Sequence, residues 1–65
     1  MTGRERIGAR IRELRKEQGL SQDKLSELSE VGRPHIARIE QGKYSVGIDT
    51  LQRIATALGK NLDIV

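Results

Sequence analysis

Three glycines, Gly19, Gly42 and Gly59, each close a run of apolar residues spaced three and four positions apart, and a further break near Ser29 divides the middle of the chain. Glycine ends helices because it enters the left-handed conformation without a Cβ penalty. A chain of 65 residues punctuated this often has room only for short helices. Short helices are marginal alone, so they must bury their apolar faces against one another.

Thr2 followed by Glu5 reads as a capping box, which starts a first helix that runs to Gly19. At 100° per residue Ile7, Ile11, Leu14 and Gln18 form one narrow stripe, and arginines occupy the rest of the surface. Ser21 is the next N-cap, and Leu25 with Leu28 defines a second helix that stops near Ser29. After Glu30, Val31 and Gly32 comes a third helix, residues 32–41, with Ile36 and Ile39 as its inward residues. A polar loop from Lys43 to Gly47 leads to a fourth, in which Leu51, Ile54, Ala55 and Leu58 keep helical spacing. The expected fold is all-α, a compact four-helix domain over residues 1–59.

The tail at residues 60–65 changes period. Leu62 and Ile64 alternate with Asn61 and Asp63, the spacing of a short β-strand. A lone strand leaves its backbone unpaired. It is expected either to pair with the same strand of a second subunit, making Leu62 and Ile64 dimerisation residues, or to fold back onto the first helix.

Composition narrows the function classes. A domain this small buries only about 60% of its unfolded surface, which makes support from a partner or a second copy plausible. The absence of cysteine removes disulfides and thiolate metal sites and suits a reducing, cytoplasmic setting. No apolar run reaches membrane-spanning length, and the stripe on the first helix is too narrow, without Trp or Phe, to lie on a bilayer. The net charge of +3 favours a polyanionic partner, and six of the twelve basic residues (Arg4, Arg6, Arg10, Arg12, Arg15, Lys16) fall in the first helix. No nucleophile with its base, no phosphate-cradling glycine loop and no metal cluster points to an enzyme or a cofactor. The single histidine, His35, lacks the companions that zinc requires.

The second and third helices, joined by a tight turn, form an arrangement that can place one helix in the DNA major groove. On the third helix Ile36 and Ile39 point inward, Pro34, Arg38 and Gln41 fall on the opposite side, and Ala37 and His35 flank them. Arginine can bond bidentately to guanine, glutamine to adenine, and a small apolar group can touch the thymine methyl. Arg33 sits in the first turn, at the end that would enter the groove first. Pro34 suits a first turn, because its missing N–H has no intrahelical partner there; it serves either as a helix start alone or also as an apolar edge toward a base. Gln22 opens the second helix, where free N–H groups favour a phosphate. Lys43, Tyr44 and Ser45 after the third helix are further phosphate candidates, as is His35, each weighed against an ordinary surface role.

Residues 20–59, "LSQDKLSELSEVGRPHIARIEQGKYSVGIDTLQRIATALG", resemble a lambda-repressor-like helix-turn-helix domain of the xenobiotic-response-element (Cro/repressor) type. The marks are Ser21-Gln22, Leu25, Val31, Ile36, the run Ile39-Glu40-Gln41-Gly42-Lys43, and the ending Leu51, Ile54, Ala55, Leu58, Gly59, while "IGARIRELRKEQG" fits the first helix. The resemblance implies a regulator of transcription, a repressor above all, that binds double-stranded DNA as a homodimer. It places Arg33, Pro34 and Arg38 at base-reading positions, makes Gln22 a clamp on the DNA backbone, and makes Arg15 and Glu40 a structural ion pair. It also allows an antitoxin or adaptor that acts through a toxin or other protein partner. One departure is visible. The family usually has glycine at the place of Glu30 and a Ser or Thr cap at the place of Gly32, so the turn is expected to be strained or reshaped.

Overall fold

The computed structural model describes residues 2–62. Four α-helices follow one another: α1 (Gly3–Glu17), α2 (Gln22–Ser29), α3 (Arg33–Glu40) and α4 (Ile48–Ala57). Their boundaries follow from their caps. The Thr2 hydroxyl accepts from the Glu5 N–H at 3.2 Å, and the Glu5 carboxylate accepts from the Thr2 N–H at 2.8 Å, which completes the capping box. Ser21 accepts from the Lys24 N–H at 2.9 Å at the start of α2. Helix α3 starts at Arg33, one residue later than expected, after Gly32, which offers no side-chain cap, and with Pro34 in its first turn; it stops at Glu40, one residue earlier, where Gln41 and the left-handed Gly42 turn the chain away. Gly19, Gly42 and Gly59 follow three of the helices with φ of +69°, +73° and +72°.

The core comprises Ile11, Leu25, Val31, Ile36, Ile39, Ile54 and Leu58, with Ile7, Leu14 and Leu51 packed at its margin. Helix α3 lies against both α1 and α2, and α4 closes on α2. The α1–α3 approach is close because Gly8 has no side chain: a Cβ there would lie 2.1 Å from the Ile39 carbonyl oxygen. Sequence periodicity gives no hint of this role, since a glycine in mid-helix registers only as a propensity cost of about 1 kcal/mol.

Two residues sit differently from their expected positions. Leu28 does not share the core with Leu25; it is 49% exposed, leaving Leu25 and the buried Ser29 as the inward residues of α2. Gln18 continues the α1 stripe but is exposed, with its amide donating to the Leu58 carbonyl at 2.8 Å. It ties the end of α1 to the end of α4 instead of packing.

The turn between α2 and α3 keeps a left-handed residue even though that residue is not glycine. Glu30 has φ 60° and ψ 27°, a conformation that costs an L-residue roughly 1 to 2 kcal/mol. Side-chain bonds brace it: the Ser29 hydroxyl donates to the Leu25 carbonyl at 2.6 Å and accepts from the Val31 N–H at 3.3 Å, and the Ser26 hydroxyl donates to the Val31 carbonyl at 2.6 Å. The buried Val31 then pins the turn to the core.

Residues 60–62 carry no strand. Leu62 lines a cavity of about 480 Å³ floored by Ile7, Ile11, Leu14, Leu51 and Leu58, on the α1 side of the domain. Ile64, with the rest of the expected strand, lies outside the described residues. None of the described helices is long and apolar enough to cross a membrane.

Candidate nucleic-acid interface

The outward face of α3 is built from the inside. Ile36 and Ile39 are 0% and 1% exposed and fix the rotation of the helix about its axis. With those two buried, helical geometry sends Arg33, Pro34, Arg38 and Gln41 to the surface, with Ala37 and His35 half-buried on the flanks. Pro34 is the second residue of the helix, where no backbone donor is lost. Arg33 Nε lies 3.1 Å from Asp23 Oδ1, at the start of α2. Arg38 makes no ion pair among the described residues.

Two shallow clefts border this face. Pro34, His35, Arg38 and Tyr44 surround one of about 320 Å³. Within it the His35 and Tyr44 rings meet edge-on, with centroids 4.6 Å apart and planes at 81°. His35 Nε2 is buried there with no hydrogen-bond partner among the described residues. Lys43 and Ser45 lie exposed in the loop around Tyr44.

Arg12, Gln22, Ala37, Glu40 and Gln41 line the second cleft, of about 360 Å³. An ion pair forms its base. Arg15 Nε donates to Glu40 Oε2 at 2.8 Å, Nη2 donates to Oε1 at 3.1 Å, and Nη1 donates to the Leu20 carbonyl at 2.7 Å. The two side chains are only 10% and 3% exposed. The hydrogen bonds to Glu40 raise the already high pKa of Arg15, outweighing the opposing effect of burial, so the guanidinium stays charged. Gln22 Nε2 donates to the same Glu40 Oε1 at 3.2 Å, which orients the amide at the opening of α2. One basic residue of this cleft, Arg12, is not singled out by its sequence, where it is one of six in α1. Its signal is its place three residues before the buried Arg15, on the same side of the helix.

The structure thus brings Gln22, Arg33, Pro34, Ala37, Arg38 and Gln41 onto one surface, with Arg15 and Glu40 beneath it. Leu62 belongs to a different cavity that no residue of α3 lines. No group of three His, Cys, Asp or Glu side chains able to hold a metal occurs among the described residues.

Known proteins share this fold. A family model described as helix-turn-helix matches residues 11–65. The immunity repressor of Bacillus phage phi105 is 40% identical over 53 residues, which cover 82% of this chain and 37% of that protein. The crystal structure of the restriction-modification controller protein C.AhdI from Aeromonas hydrophila superimposes with a TM-score of 0.86 at 36% identity, covering 89% of this chain and 88% of that one. A toxin-antitoxin module from Streptococcus pneumoniae contains a chain that superimposes with a TM-score of 0.78 at 45% identity, covering 95% and 69%. The chain spans less than two thirds of the length of the first curated relatives it matches. The family match, the shared fold and the buried ion pair beneath an outward α3 lead to one conclusion: the chain belongs to the helix-turn-helix family of the Cro/C1 type.

Proposed function

We propose that this chain is a sequence-specific regulator of transcription, a repressor above all, that reads duplex DNA with α3 in the major groove. The observation that carries it is the outward face of α3, where Arg33, Pro34, Arg38 and Gln41 stand together on a helix fixed by two buried isoleucines and the Arg15–Glu40 pair. Arg33 and Arg38 carry most of the specificity as guanine readers, Gln41 suits adenine, and Pro34 and Ala37 offer apolar contacts to thymine. Gln22, Lys43, Tyr44, Ser45 and the half-buried His35 supply the DNA backbone contacts. The names of the phage repressor and of the controller protein agree with this reading. Residues 1–59 act as the DNA-binding unit in the cytoplasm, by binding and not by catalysis.

In this reading residues 60–65 join two copies into a homodimer through Leu62 and Ile64, setting two α3 helices about 34 to 36 Å apart, or a multiple of one DNA turn. Light scattering at micromolar concentration checks that arm, and persistent monomers would remove it. Selection from a random duplex library at two salt concentrations tests the function itself. Recovery of a two-fold site whose affinity falls steeply with salt is the expected result. Arg38→Ala should weaken the selected site by about 1 to 3 kcal/mol with little change in stability. Equal affinity for both proteins would remove α3 as the reader.

A second reading has its own observation, the likeness to a chain of the toxin-antitoxin module at 45% identity. Here the chain acts through a protein partner, and selection by a folded protein would return no preferred duplex.

A further inference from the structure

The two proposed guanine readers of α3 are held differently. Arg38 stands free of acidic groups among the described residues, whereas Arg33 meets Asp23 across the start of two helices, Nε to Oδ1 at 3.1 Å. Both side chains of that pair are largely exposed, at 58% and 80%. An ion pair so open to water adds little to stability. What it supplies is a negative charge beside Nε, which draws that side of the guanidinium toward α2. The carboxylate approaches the guanidinium from its Nε side, and the fork formed by Nη1 and Nη2 is the edge that can bond guanine O6 and N7 together.

Asp23 lies beside Gln22, at the opening of α2, where the proposed backbone contact would bring a phosphate. A carboxylate there repels phosphate and contributes nothing attractive to the DNA backbone. A residue at this place that weakens non-specific attraction while steering a base-reading arginine shifts the balance from affinity toward selectivity.

We propose that Asp23 is a positioning residue for Arg33, holding its guanidinium end-on to one guanine of the operator and raising discrimination at that base pair at the expense of non-specific affinity. The inference rests on the DNA-reading function argued above and adds to it the residue that sets selectivity at one position.

The test uses the full chain, the duplex recovered by selection with the wild type, all of its single-base-pair variants and a scrambled duplex. Arg33→Ala identifies the guanine that Arg33 reads. Asp23→Asn should lower the preference for that guanine about fivefold or more, leave preferences at the remaining positions unchanged, including the one assigned by Arg38→Ala, and tighten binding to the scrambled duplex. Asp23→Ser, which also suits a helix start, should do the same, so that a folding defect in one variant does not decide the matter. In the doubly substituted Asp23→Asn, Arg33→Ala protein the loss at that guanine should equal that of Arg33→Ala alone.

Three outcomes overturn the proposal. Asp23→Asn could keep the guanine preference within about twofold, could lose preference evenly across the site, or Arg33→Ala could leave every position unchanged while the wild type still selects a site. A wild type that is folded but selects no duplex defeats the DNA-reading function itself, and the role of Asp23 falls with it.

Discussion

The two sides of α3 are built to different standards. Toward α1 it meets a backbone that Gly8 allows within contact distance of the Ile39 carbonyl, and a buried ion pair joins Arg15 to Glu40. Toward α2 it is reached through a three-residue turn whose first member, Glu30, is held left-handed, and its nearest charged contact, Asp23 to Arg33, is open to solvent. The first side fixes where α3 sits. The second fixes what it presents: its strained residue and its exposed ion pair lie at the surface, outside the Leu25 and Val31 side chains that hold the turn to the core.

The largest effect that would break this contrast belongs to the ion pair. Glu40→Ala strands the Arg15 guanidinium among groups that exclude water and also releases the Gln22 amide. We expect a loss of about 3 to 5 kcal/mol in urea unfolding. Replacing both Arg15 and Glu40 by Met should cost less than Glu40→Ala alone, because no charge is then left without a partner. A loss for Glu40→Ala within about 0.5 kcal/mol, the range of ordinary surface changes, would show that the α1 side is not the firm one.

Gly8→Ala comes next. The added methyl would lie 2.1 Å from the Ile39 oxygen, and a backbone atom has no rotamer to retreat into. Helices α1 and α3 must then separate, at a cost of about 3 kcal/mol. The same displacement would move Arg33 and Arg38 relative to Gln22, so DNA selection should weaken together with stability.

These two residues also show how far the fold could be read from the chain alone. Helix order, the capping box and the outward face of α3 are written in local spacing, because capping and periodicity act over three or four residues. The resemblance to repressor-type domains added the Arg15–Glu40 pair, which no local pattern reveals, since the partners are 25 residues apart. Gly8 was invisible because its role is a contact with a helix that the sequence does not place beside it. Leu28 misled for the complementary reason: its spacing from Leu25 is helical, but it stays half exposed at the edge of an open cleft that it lines with Gln52, Arg53, Thr56 and Ala57 of α4. The Asp23–Arg33 contact depends on the geometry of the turn, which helical spacing does not report.

On the turn side the effect reverses sign. Glu30→Gly removes the left-handed penalty and should raise stability by about 1 kcal/mol. Gly32→Ser puts a capping hydroxyl ahead of α3, where an added Cβ meets nothing closer than Pro34 Cδ at 3.9 Å. That substitution should add only a few tenths of a kcal/mol. Together they restore the residue order usual in the family. If the doubly substituted protein is no more stable than wild type, the hydroxyls of Ser26 and Ser29 already offset the strain, and the turn belongs with the firm side after all.

The smallest expected effect lies at the other end of the firm side, where α1 starts in solvent. The Thr2 backbone N–H, then the Thr2 hydroxyl, and more weakly Arg4, hold the Glu5 carboxyl below the usual glutamate range. Its pKa is therefore lower folded than unfolded, so its contribution is complete above the ordinary glutamate value and disappears as pH falls through the folded one. The Thr2 amide resonance should follow that titration in NMR, with a midpoint below that of an unstructured glutamate, and amide protection in the first turn of α1, corrected for the slower intrinsic exchange at lower pH, should fall as the carboxylate is protonated. Glu5→Gln keeps an acceptor in the capping box and should abolish the pH dependence while leaving the helix start in place. If protection across the Arg15–Glu40 contact falls in the same pH range, the fraying has spread down α1, and the firm side depends on its exposed cap more than its buried ion pair indicates.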